Sequence, residues 1–164
     1  MNKTVSPFDE LFEFNKITLA LKKVIERNSW DQEAIMPTGA LEDRAEEQAS
    51  LMIIAHKRQT SGEFSDLVDS IEPEKLSKIE LRQLKLMKKD LTRALKVPTG
   101  LVGALAKETT LAHSVWVNAR KNNNFQQFLP HFSKVLELRK EEADAIRQGS
   151  SLSRYDALLQ DYEP

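Results

Sequence analysis

Chain breakers are scarce in this sequence, which holds 5 glycines and 6 prolines in 164 residues. Between them apolar residues recur every three or four positions and never alternate with polar ones over a sustained run, the pattern of amphipathic helices rather than strands. The reading is an all-α chain: a multi-helix array of about five to six helices in one unit that spans residues 1–164.

The punctuation sets the helix boundaries. A serine at Ser6, Pro7 behind it and acidic Asp9 and Glu10 predict a capped helix start. Its inward stripe reads Phe8, Leu11, Phe14, Ile17, Leu21, Val24 and Ile25. From Asn28 to Gly39 the period breaks, and Pro37 forbids a straight continuation, so the segment reads as a connector holding a buried Trp30. A second helix runs from about Gly39 to Thr60, with Leu41, Ala45, Gln48, Met52 and Ala55 on one side. A short amphipathic turn through Phe64, Leu67, Val68 and Ile71 precedes a third long helix that Pro73 opens and Pro98 closes. Pro98-Thr99-Gly100 begins the next helix and Asn122-Asn123-Asn124 ends it. A helical turn from Phe125 to Leu129 leads to a last long helix from Pro130 to Gln148, stopped by Gly149. The tail from Tyr155 to Pro164 is too apolar to read as disordered.

Composition removes several classes of function. With 24 Lys+Arg against 25 Asp+Glu the net charge is -1, so no overall basic field drives nucleic-acid binding. No apolar run approaches the ~20 residues that cross a bilayer. The chain has no cysteine, which excludes disulfides, thiolate nucleophiles and cysteine metal sites. The first ten residues turn acidic and lack the apolar stretch of a signal peptide, so the expectation is a cytoplasmic protein. Lys85, Lys88, Lys89, Arg93 and Lys96 make the third long helix basic outside, which reads as a solvated face.

Catalytic chemistry is hard to find. His56, His113 and His131 have no second histidine four residues on, so the helical zinc motif His-Glu-x-x-His is absent and each reads as a seam or surface residue. The pairs Glu46-Glu47 and Glu141-Glu142 are what a carboxylate-rich helical scaffold produces by chance. Gly100 and Gly103 lack the Lys-Ser/Thr partner of a phosphate loop. Two constellations stand above this background. The first is Trp30-Asp31-Gln32-Glu33, then Met36-Pro37-x-Gly39 and Arg44, a fixed turn rather than a free linker. The second is Trp116 with Arg120, four apart and able to stack.

These segments resemble, in order and spacing, the amino-terminal region of the carboxypeptidase Taq family of zinc metallocarboxypeptidases. The matching stretches are Trp30 to Gly39 with Arg44, Leu51 to His56, Trp116 to Phe125 running into Phe128-Leu129-Pro130, and Tyr155 to Pro164 with Tyr162. The resemblance implies a scaffold portion of a much longer, almost wholly helical and usually dimeric enzyme with a deep cleft. Such enzymes remove single residues from peptide C-termini with one zinc, or in some members cobalt, held by a His-Glu-x-x-His helix and a later glutamate. None of those elements lies in this chain, so the resemblance implies no cofactor and no catalytic or metal residue here. Ala34 departs from the Thr that often follows the glutamate at this turn. The expected partners are a second copy or the missing C-terminal part, with peptide substrate only in the complete enzyme and neither nucleic acid nor membrane. The other reading is a stand-alone helical binding or regulatory module.

Overall fold

A computed structural model describes residues 6–159 and Tyr162. These form seven α-helices and no strand: α1 (Pro7–Ala34), α2 (Leu41–Gln59), α3 (Gly62–Asp69), α4 (Lys78–Lys96), α5 (Thr99–Lys121), α6 (Phe125–Arg147) and α7 (Arg154–Leu159). Single 3-10 turns at Thr38–Ala40 and Pro73–Lys75 join them. The all-α reading holds, and the count rises to seven because the short α3 and α7 are complete helices.

Capping residues explain where the helices start. At Ser6 the hydroxyl accepts the Asp9 amide at 3.1 Å and the Asp9 carboxylate accepts the Ser6 amide at 3.3 Å, a reciprocal cap that satisfies two orphan donors. Ser61 accepts the Phe64 amide at 3.1 Å in the same way. Pro73 does not open the third long helix as expected. It begins only a 3-10 turn, Leu76 is extended, and Ser77 with Glu80 forms the real cap of α4. The Ser-x-x-Glu spacing at Ser77 is the stronger signal because it satisfies donors, whereas Pro73 only lacks one.

Two further boundaries differ from the sequence reading. α1 does not break at Asn28 but runs to Ala34, because nothing before Pro37 removes a backbone donor. The amides of Ile35 and Met36 both return to the Asp31 carbonyl, at 3.0 and 2.9 Å, and close the helix. α6 is one helix from Phe125, with Pro130 inside it. So near the start of the helix, the proline forfeits a single backbone bond.

Packing divides into two small apolar cores. Phe8 and Leu11 of α1, Phe64 and Val68 of α3, Ile71, and Leu84 and Leu91 of α4 form the first. Val97, Ile146 and Ala157, backed by Leu101, Val102 and Leu158, form the second. The inward stripe of α1 passes through Thr18 rather than Ile17, which is 55% exposed. Arg58 of α2 explains the preference: its guanidinium donates to the Phe14 carbonyl at 3.2 Å and to Thr18 Oγ1 at 3.4 Å, and lies 4.1 Å from the Phe14 ring centroid. The broadest helix contact is α2 on α5. A Cβ on Gly103 would come within 2.7 Å of Ile53 Cδ1 and 4.0 Å of the Ala49 carbonyl, so this crossing is close because the residue has no side chain.

Gly103→Val therefore overpacks the α2–α5 crossing and should cost about 1–3 kcal/mol in urea denaturation. Gly100→Ala, where a Cβ meets open space, should be neutral or stabilising by up to ~1 kcal/mol through helix propensity alone.

Candidate functional site

The first constellation sits at the α1–α2 junction and is tied by one guanidinium. Arg44 Nη2 meets Asp31 Oδ2 at 2.5 Å, Nη1 donates to the Asn28 carbonyl at 2.5 Å, and Nε donates to Glu47 Oε2 at 3.1 Å. The Arg44 side chain is only 13% exposed. The Asp31 carboxylate, and to a lesser degree Glu47, holds the guanidinium pKa above its ordinary value despite the cost of burial. The next two residues reach another helix. Gln32 Nε2 donates to the Thr110 carbonyl at 3.0 Å and to Ser114 Oγ at 3.3 Å, and Glu33 stands 3.8 Å from His113 Nε2. Asp31, Gln32, Glu33 and Arg44 thus lock α1 onto α2 and α5. Met36 is half-buried, while Pro37 and Gly39 are exposed in the bend.

Trp30 does not share that role. It is 65% exposed, beside an open groove lined by Arg27, Asp43 and Glu46, and the buried position expected for it is corrected. The reason is the longer α1: with the helix continuing through Trp30, the inward turn there belongs to Asn28, Asp31 and Gln32. The expected stack of Trp116 on Arg120 is also absent among the described residues. Trp116, 45% exposed, lies 5.8 Å from the ring of His113, one turn earlier, while Arg120 is exposed beside the end of α5.

His56 is a clamp. Nε2 stands 3.1 Å from the Ala94 carbonyl, and Nδ1 stands 3.1 Å from Thr99 Oγ1. A carbonyl can only accept, so Nε2 donates to Ala94, and Nδ1 shares a hydrogen bond with the Thr99 hydroxyl. The ring ties α2 to the α4–α5 connection with both nitrogens occupied. His131 Nδ1 meets Glu108 Oε1 at 2.7 Å across α5 and α6. Tyr155 and Tyr162 are exposed; Gln160, Asp161, Glu163 and Pro164 of the matching tail lie outside the described residues.

Beside the second core runs a cleft of about 590 Å³, whose lining includes Val97 and Ile146 together with Gln48, His56, Thr109 and Glu142. Gln48 donates to Ser29 Oγ at 2.9 Å and to the Ile25 carbonyl at 3.2 Å, while its buried Oε1 has no protein partner. The paired glutamates are ion-pair partners rather than an acid–base couple: Glu46 meets Lys107, Glu47 meets Arg44, and Glu142 meets Arg139. Three residues escaped the sequence reading. Arg58, Lys107 and Asp144 carry inter-element contacts, and only periodicity-independent long-range pairing distinguishes them from other surface charges. Asp144 binds both Arg147 and Arg154, at 2.8 and 2.7 Å, and so anchors the start of α7 to α6.

Among the described residues no three His, Asp or Glu side chains converge where they could hold a metal ion. A catalytic metal needs three such ligands and an open position, a set that the described residues do not bring together. The junction, the clamp and the cleft define a helical scaffold held by polar ties.

Comparison with known proteins gives this scaffold its class. Residues 10–164 match the model of the carboxypeptidase Taq (M32) metallopeptidase family, and the chain belongs to that family. It is 29% identical over 168 residues to thermostable carboxypeptidase 1 of Thermus thermophilus, a match covering 96% of this chain and 33% of that protein. The like-named protein of Pyrococcus furiosus is 28% identical over 135 residues, covering 82% of this chain and 27% of that one. The chain thus spans about a third of the length of these relatives. Its fold matches a solved structure named BsuCP with a TM-score of 0.88 and 24% identity, over 94% of this chain and 31% of that one. It also matches metallocarboxypeptidase 1 of Trypanosoma cruzi, with a TM-score of 0.72 and 24% identity, over 96% and 32%.

Removing Arg44 leaves Asp31 and a backbone carbonyl without their shared donor, so Arg44→Ala should cost about 2–3 kcal/mol in chemical denaturation. Trp30→Ala should stay within about 0.5–1 kcal/mol, as exposed positions do. A second expectation follows from Asp144, whose carboxyl is lowered from 3.8 to about 2 by hydrogen bonds from Arg154 and Arg147. A carboxyl with a depressed folded pKa contributes stability above its unfolded value and loses it as pH falls through the folded one. The docking of α7 should therefore persist at pH 4 and weaken towards pH ~2, read as hydrogen exchange at the α7 amides, and Asp144→Asn should remove that pH dependence.

Proposed function

We propose that this chain is the amino-terminal scaffold portion of a metallocarboxypeptidase that removes C-terminal residues from peptides, and that it is inactive alone. The observation that carries the reading is the family match over residues 10–164 together with a span of only 33% of a full relative. On this reading the catalytic metal, zinc or cobalt, belongs to the remainder of a family-length protein, because the residues described here do not converge on one. The role of Arg44, Gln32 and His56 is then to hold one wall of the peptide cleft rigid, and the protein works in the cytoplasm.

An aromatic cluster supports an uncovered face: the rings of Phe125, Phe128 and Phe132 of α6 lie 5.8–6.2 Å apart in tilted and edge-on pairs, and Phe125 and Phe132 are exposed. Such a patch favours covering by the missing part or by a second copy.

The purified chain, supplied with zinc or cobalt, should release no C-terminal residues from peptides, and chelator-sensitive release would overturn the proposal. Sedimentation at low micromolar concentration should show self-association or strong binding of a hydrophobic dye. A compact monomer without dye binding would favour the stand-alone module instead.

A further inference from the structure

The charges of α4 are segregated as on no other helix. It carries seven basic residues and only two acids, Glu80 and Asp90, in a chain whose net charge is -1. Four of the cations, Lys78, Arg82, Lys85 and Lys89, follow one another at intervals of four, three and four residues, while Arg93 and Lys96 turn inward and donate to the Ala157 and Ile146 carbonyls, both at 3.0 Å. At 3.6 residues per turn the four make a straight stripe about 17 Å long. It lies opposite Leu84 and Leu91, which α4 buries in the first core. Both acids stand off the stripe. The Glu80 carboxylate is engaged by the Ser77 amide at 2.8 Å, and Asp90 lines the central cleft.

Among the described residues Lys78, Arg82, Lys85 and Lys89 have no ion-pair partner, although Arg44, Lys107, Arg139, Arg147 and Arg154 elsewhere in the chain each find one. Consecutive members of the stripe are like-charge neighbours at i,i+3 or i,i+4, and each such pair destabilises a helix. The fold therefore sustains a repulsion that an anionic partner would relieve. Beside the C-terminal half of the stripe runs a groove of about 370 Å³, where Lys88, Lys89 and Thr92 face Ser150 and Leu152. Along the helix, Ile79 and Leu86 are exposed next to the cations.

We propose that the outer face of α4 is a docking surface for an acidic polypeptide segment, whose carboxylates pair with the stripe and whose apolar side chains rest on Ile79 and Leu86. The neighbouring groove gives a polypeptide a concave seat that a flat bilayer surface would not fill. Single-stranded nucleic acid is disfavoured because α4 presents no aromatic side chain on which a base could stack.

The test is fluorescence anisotropy of the whole chain with labelled poly-L-glutamate. Binding is expected at low salt and should weaken steeply as salt screens the charges. Lys85→Glu with Lys89→Glu should weaken it about tenfold or more, whereas Lys134→Glu with Lys140→Glu on α6, which changes the net charge equally, should change it less than about twofold. The α4 variant should also keep its helical circular dichroism and melt no lower, since it breaks the run of like charges. If the reversal does perturb the fold, Lys85→Gln with Lys89→Gln should still weaken binding about threefold. No binding, equal losses in the α4 and α6 variants, or tighter binding to phosphatidylserine vesicles or oligothymidylate than to poly-L-glutamate would each overturn the proposal.

Discussion

A single guanidinium sets the geometry on which the other helices build. Arg44 reaches from the first turns of α2 to Asp31 and the Asn28 carbonyl near the end of α1, so the two helices are tied within two turns of the bend that joins them. Once α1 and α2 are held there, Gln32 falls opposite Thr110 and Ser114, and α5 can close on α2 at Gly103. The tie is charged and its guanidinium is largely buried. In such a setting, each hydrogen bond to an ion counts for more than a surface pair, and losing one partner strands the other. Farther along, Arg58 repeats the device by binding the Phe14 carbonyl and ring, and His56 repeats it against Ala94 and Thr99. Three long polar side chains on α2 thus fix three neighbouring segments.

That economy suits a fold with little apolar interior. Among the described residues Leu11, Leu84 and Val68 are the largest fully buried side chains. The two apolar cores share no member. A protein of this size normally gathers one continuous core, so directional hydrogen bonds must specify relative helix positions where undirected apolar burial would leave them loose. The unpartnered Gln48 Oε1 sits at the margin between these regimes. Its amide is committed to Ser29 and the Ile25 carbonyl, which aligns α1 with α2 and leaves the oxygen over.

How much of this was legible in the sequence follows from which forces are local. Ser6, Pro7 and Asp9 announce the start of α1 because a cap is made by residues three apart. The inward face of α2, where Ala45, Gln48 and Ala55 are buried, is legible because burial repeats with the helix turn. The end of α1 is hidden from the sequence for the opposite reason. Loss of apolar period at Asn28 reflects a face that changes from apolar to polar contacts, not the end of a helix, and Gln32 and Asp31 are the groups that meet α5 and α2. Size alone places Trp30 inward, whereas its register on the longer helix points it outward. Arg58 taking Thr18 in place of Ile17 is equally invisible locally, since the two partners are far apart in sequence. Within the segments at Trp30 to Arg44 and at Trp116, only the fold shows that Asp31, Gln32 and Arg44 do the joining while both tryptophans stay at the surface.

The exposed tryptophans and phenylalanines acquire a physical meaning when set beside the polar ties. A helix bundle that ended at this surface would place charges there, as α4 does, because large apolar groups left in water cost about 25 cal/mol per Å². Instead Trp30, Trp116, Phe125 and Phe132 are all substantially exposed, although the segments that carry them are rigidly held by Arg44, Gln32 and the ring contacts of α6. Rigid presentation of aromatic groups reduces the entropy lost when they are covered. On the function proposed above, these exposed aromatics are the groups that a further part of the enzyme or a second copy would cover.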